Sequence, residues 1–156
     1  MAAAMIGIPE PKLVEWPLRV ALAAVFIYAG MMKALDPQQF AIDVQHYELT
    51  SWSFSIVIAI YLPWLEIFAG LALLVGRLYR GALALTGVMT LAFLAAIGSA
   101  WGRGLDITCG CFGAEVNRTN YPAHIGLNVA MLGAVAVLGW LEKRSRAPEA
   151  TATPPE

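Results

Sequence analysis

The sequence predicts an all-α integral membrane protein, a bundle of four transmembrane helices with both termini on the cytoplasmic side. Three observations predict it. The chain is 59% hydrophobic and only 13% charged, with a mean hydropathy of +0.66, whereas a soluble domain carries roughly a quarter charged residues and under half apolar ones. Its apolar residues fall into four long runs, at about 18–35, 54–75, 82–101 and 123–140. At a rise of about 1.5 Å per residue, each crosses most of a hydrocarbon core about 30 Å thick. Finally, the cations gather on one side of those runs. A length of 156 residues fits one domain. The net charge of −1 offers no field for a polyanion, so no nucleic-acid partner is expected.

Residues 1–16, with Pro9, Glu10, Pro11, Lys12 and Glu15, read as a mobile or surface-lying lead-in. The first run is apolar apart from Arg19 and Lys33 near its ends. It begins inside the chain and no small-x-small cleavage site follows it, so a retained helix is expected rather than a signal peptide. Residues 36–53 are polar and acidic, and 38–49 fits a short helix lying at the interface. The second run carries Pro63 and Glu66. The connection at 76–81 is so short that the helices on either side of it must be antiparallel neighbours. The third run is uncharged and holds Gly87, Gly98 and Ser99, small residues that let helices approach closely in lipid. A loop at 102–122 precedes the fourth run, and a basic then disordered tail, 142–156, follows it. Within lipid each span must satisfy its own backbone hydrogen bonds, which selects helices.

Four spans put both termini and the 76–81 connection on one side. That side carries Lys12, Arg19, Arg77, Arg80, Lys143, Arg144 and Arg146; the other has Lys33 at its edge, then Arg103 and Arg118. The positive-inside rule makes the first side cytoplasmic. Trp16, Trp52, Trp101, Tyr121 and Trp140 fall near span ends, as an aromatic belt requires. The loop at 102–122 therefore faces outward, toward the periplasm of a bacterium, where disulfides persist.

That loop holds the only two cysteines, in the run Cys109-Gly110-Cys111-Phe112-Gly113. A disulfide across one intervening residue closes a very small ring and is expected to be strained, and strained, exposed disulfides are the exchanging kind. Gly110 frees the backbone to take the φ such a ring demands. Exchange needs a thiolate, and Arg103, Arg118 and His124 are the candidates to favour one. Two other readings remain open: an inert loop staple, or half of a metal site. Zinc wants four ligands, usually with cysteines two to four apart, and only His46 and His124 add imidazole, so no metal is assigned.

Glu66 lies deep in span two, where an unpaired carboxylate costs several kcal/mol. Lys33 is its expected partner, either as a register-fixing ion pair or as part of a binding or proton-transfer site. Pro63, one turn earlier, frees a carbonyl and is expected to kink the helix. His124 and Asn128 share one helix face at the outward start of span four, and His124 can carry a proton during exchange. Tyr28, Tyr61 and Trp64 are candidates to line a flat slot for a quinone ring, or are packing and belt residues.

Taken in order, Gly30 with Lys33, Leu62-Pro63 with Glu66 and Gly70, the Cys109-Gly110-Cys111-Phe112-Gly113 run and Asn128 resemble the MauE/DoxX family of small bacterial membrane proteins, and within it the methylamine-utilisation branch, MauE. The resemblance runs from about residue 17 to 140; His124 and the tail after Arg144 lie outside its pattern. It implies a four-helix membrane protein linked to periplasmic thiol–disulfide chemistry. It also implies maturation of an exported protein such as the disulfide-rich small subunit of methylamine dehydrogenase, with a thioredoxin-like partner. The DoxX side implies a quinone-linked oxidoreductase subunit, and DsbB and vitamin K epoxide reductase are similar in arrangement. Those two use more cysteines, including a C-x-x-C pair, so an internal relay of two disulfides is not open to this chain. The expected activities are thus thiol–disulfide exchange through Cys109 and Cys111, a quinone-dependent reaction near Tyr61, Trp64 and Glu66, or a non-enzymatic assembly role with a structural disulfide.

Overall fold

A computed structural model describes residues 11–105 and 121–146. Every regular element among them is an α-helix: α1 (Pro11–Leu35), α2 (Pro37–His46), α3 (Trp52–Val75), α4 (Tyr79–Gly102) and α5 (Tyr121–Arg146). Helices α1, α3, α4 and α5 are each long and apolar enough to cross a membrane. They match the four predicted runs.

Two expectations need correction. Residues 11–16 are not a separate lead-in; they are the first turns of α1. Pro11 stands at the first helical position, where its missing N–H costs nothing. Pro17 lies inside the helix and removes one further hydrogen bond without ending it. The short helix predicted at 38–49 starts with Pro37 and stops at His46. Asp36 caps it by accepting the Gln39 N–H at 2.9 Å. The chain then tightens as Tyr47 N–H bonds Val44 O and Glu48 N–H bonds Gln45 O, and Glu48 turns away at φ +53°.

The long helices pair antiparallel. Against α3, α1 runs with Arg19 donating to the carbonyls of Leu73 and Leu74. Further along, Ala23 and Ile27 lie against Gly70, and Gly30 lies against Pro63, Glu66 and Ile67. The two glycines make this contact possible. A Cβ on Gly30 would sit 2.7 Å from the Pro63 carbonyl oxygen, and one on Gly70 would sit 2.6 Å from Ile27 Cγ1. Helices α4 and α5 pair in the same sense, with Leu83 near Gly139 and Gly87 near Val135. Arg80 bonds Glu142 at 2.8 Å at the end of that pair. Between α3 and α4, Gly76 takes the left-handed conformation at φ +80° that ends a helix cheaply.

One end of the bundle therefore holds the start of α1, the α3–α4 turn and the end of α5. Arg19 ties it together, its guanidinium lying over the Tyr79 ring. A core of Leu22, Ala23, Phe26, Leu73, Ala82, Leu83, Met89 and Leu138 fills the space behind it. At the other end α2 folds back onto α3 through Phe40, Ala41 and Ala59. The outward faces carry exposed Phe54, Tyr61, Trp64, Phe68, Val88 and Leu91. Such an apolar surface suits lipid and would aggregate in water.

Candidate functional site

Charge buried among apolar helices is costly, so each charged side chain inside the bundle needs a partner. Glu66, on the inner face of α3, and Lys33, in the last turn of α1, are 1% and 2% exposed. Lys33 Nζ donates to both carboxylate oxygens of Glu66, at 2.7 and 2.8 Å. The ammonium also lies 5.5 Å from the centre of the Phe40 ring and 5.0 Å from that of Phe93, adding two cation–π contacts. One ion pair thus draws together α1, α3, α2 and α4.

Helix α5 completes the ring. A cavity of about 40 Å³ has Lys33, Glu66, Thr90, His124 and Asn128 on its walls, with Phe26, Phe93 and Met131 among its apolar neighbours. Asn128 Nδ2 donates to the His124 carbonyl at 2.8 Å, and Thr90 donates to the Thr86 carbonyl at 2.7 Å. Four of the sequence-predicted residues, Lys33, Glu66, His124 and Asn128, therefore meet in one place.

Tyr61 and Trp64 do not join them. They are 65% and 55% exposed on the outer face of α3 while Glu66 points inward, so the slot expected to combine the three is not formed. Tyr28 is likewise exposed. A larger apolar cavity, about 250 Å³, opens elsewhere, between α2, the α2–α3 turn, α3 and α4. Phe40, Tyr47, Leu62, Met89 and Phe93 line it, and Asp43 and Thr50 supply its polar atoms. Asp43 is buried and accepts from Gln39 Nε2 at 3.0 Å. Thr90, Phe40, Phe93 and Asp43 were missed by sequence reasoning. Thr90 and Asp43 had a signal, as polar residues beside or within an apolar run; the two phenylalanines had none.

Cys109, Cys111 and Arg118 lie outside the described residues. The roots of their segment are defined. Tyr121, which opens α5, donates its hydroxyl to the Leu105 carbonyl beyond the end of α4. Its ring stacks on Trp101 with centroids 6.2 Å apart and planes 11° apart. Leu105 and Tyr121, which flank residues 106–120, thus lie together at the same end of the bundle as α2. Arg103 braces that end by donating to the carbonyls of Tyr47 and Ser99, with the Glu48 carboxylate 3.8 Å away.

A family model described as methylamine utilisation protein MauE matches residues 11–141, well over half the chain. No curated protein and no solved structure matches. The match falls on the MauE side of the MauE/DoxX resemblance, and it takes in the ion pair, both cavities and the segment with the two cysteines. With four helices long and apolar enough to cross a membrane, the composition of a multi-pass membrane protein, this chain belongs to the MauE family, whose description is methylamine utilisation protein.

Proposed function

We propose that the protein is a membrane thiol–disulfide exchange protein that acts on exported partners through Cys109 and Cys111. The observation that carries this reading is the closure between Tyr121 and Leu105, which roots the cysteine segment at the bundle end opposite most of the cations, Arg103 being an exception. Arg19, Arg77, Arg80, Lys143 and Arg144 belong to the α1-start, α3–α4 and α5-end side. By the positive-inside rule that end is cytoplasmic, and the cysteine segment faces the periplasm across the cell membrane.

In maturation of an exported client, such as the small subunit of methylamine dehydrogenase, a client thiolate attacks the Cys109–Cys111 disulfide. That bond breaks as a mixed disulfide forms. A second client thiol then displaces the cysteine, leaving the client oxidised and the pair reduced by two electrons. A thioredoxin-like partner in its disulfide form takes those electrons and is itself reduced to the dithiol. Trapping tests this directly. Cys109→Ser and Cys111→Ser variants, isolated from cells growing on methylamine, are expected to differ, with one holding a partner in a covalent complex that reductant releases. If neither variant holds a partner, the exchange reading fails. Full growth on methylamine with both cysteines changed to serine would make the chain a non-enzymatic assembly factor.

A second reading is favoured by the 250 Å³ cavity. A membrane quinone seated there takes two electrons and two protons from the dithiol, giving quinol and the disulfide. The cavity suits a ring better than the exposed Tyr61 and Trp64 do, since Phe40, Tyr47 and Phe93 enclose it on several sides. Protein purified without quinone, with cysteines whose redox state ignores added quinone, removes this reading.

A further inference from the structure

The 40 Å³ cavity is walled by more hydrogen-bonding capacity than the surrounding helices satisfy. An ammonium has three N–H donors, and Lys33 gives two to Glu66. The third meets no hydrogen-bond acceptor among the described residues; the Phe40 and Phe93 rings are its other neighbours. Each carboxylate oxygen of Glu66 accepts one bond from Lys33 and keeps a further lone pair. Thr90 and Asn128 each donate to their own helix, which leaves their oxygens as acceptors. All of these groups reach one space. Most of its wall is apolar and these groups are its polar part; at about 40 Å³ it exceeds the roughly 10–15 Å³ of such space that one water needs.

We infer that this cavity is a buried water site, and that the water joins the Lys33–Glu66 pair to His124 as a proton path from mid-bundle to the first turns of α5. The titratable groups facing it are Lys33 on α1, Glu66 on α3 and His124 on α5. Helix α4 contributes only the Thr90 hydroxyl, and Asp43 on α2 lines the other cavity. The path runs toward the end of the bundle where the cysteine segment is rooted. Its use rests on the exchange reading: a thiol becomes a thiolate by giving up a proton, and the departing sulfur takes one back, so an acceptor nearby serves both steps without net consumption. The existence of the water site does not depend on that use.

Solid-state NMR of the full chain in lipid, with magnetisation transferred from water, tests it. Transfer to Lys33 Nζ and Glu66 Cδ is expected in the unaltered protein, and the Glu66 signal should shift as the His124 ring titrates. In Asn128→Leu the transfer should be lost. In His124→Gln the transfer should persist while the pH response disappears. Absence of transfer to both nuclei in the unaltered chain overturns the water site, and a Glu66 response surviving in His124→Gln overturns the path. The double Cys109→Ser, Cys111→Ser variant should leave every signal unchanged. Failed partner trapping alongside intact signals then sinks the exchange reading alone.

Discussion

Lys33 and Glu66 hold one another at 2.7 and 2.8 Å with almost no access to solvent. Desolvating both ions costs several kcal/mol each, and their attraction offsets this only while both are present. Lys33→Met strands a carboxylate among apolar helices and should destabilise the bundle by about 3–5 kcal/mol, measured by denaturation in detergent. Adding Glu66→Leu should recover most of that loss. Equal losses in the single and double variants would mean that the pair is not the interaction being broken. The pair was legible in the sequence because charge at that depth is expensive and the antiparallel path brings the end of span one beside span two. The outward placement of Tyr61 and Trp64 was legible too and was overlooked: at 3.6 residues per turn both fall on the side of α3 opposite Glu66, whose face repeats through Ser55, Ala59, Pro63 and Gly70.

At the scale of the helices, close packing in lipid replaces the hydrophobic drive that assembles soluble bundles. The α1–α3 contact depends on Gly30, whose hydrogen faces the Pro63 carbonyl where a Cβ would fall at 2.7 Å. Backbone cannot yield as a flexible side chain does, so Gly30→Ala should cost about 1–3 kcal/mol. Gly98, on α4, has nothing within 4 Å of an added Cβ, and Gly98→Ala should be neutral or slightly stabilising. The two variants compared by thermal unfolding in the same detergent check this, and equal effects would contradict it. The number, order and approximate ends of the spans were readable from hydropathy alone. The start of α1 was not, because Pro11 and Pro17 look like breakers, whereas the first is tolerated at a helix start and the second is overridden by the helix around it. Gly30 was visible as a small residue near a span end, but which helix it would touch depends on pairing that a single sequence does not state.

For the whole molecule, the two ends differ in kind. One is fastened by Arg19, Arg80 and Glu142. The other gathers α2, the Arg103 brace and the Trp101–Tyr121 stack around the roots of the cysteine segment. The ion pair and its cavity lie between, within reach of every helix. Counting cations predicts the side on which the cysteines belong, and spacing with family resemblance predicts their chemistry; both are proposals, since residues 106–120 lie outside the described residues. The central claim is that these sulfurs face away from the cytoplasm and change state there. The most direct measurement labels Cys109 and Cys111 in intact cells with a membrane-impermeant thiol reagent, before and after mild reduction, during growth on methylamine. Labelling without permeabilisation, in a fraction that rises on reduction and shifts with growth, is the predicted result. Labelling only after the cells are opened, or a fraction that never changes, would contradict it.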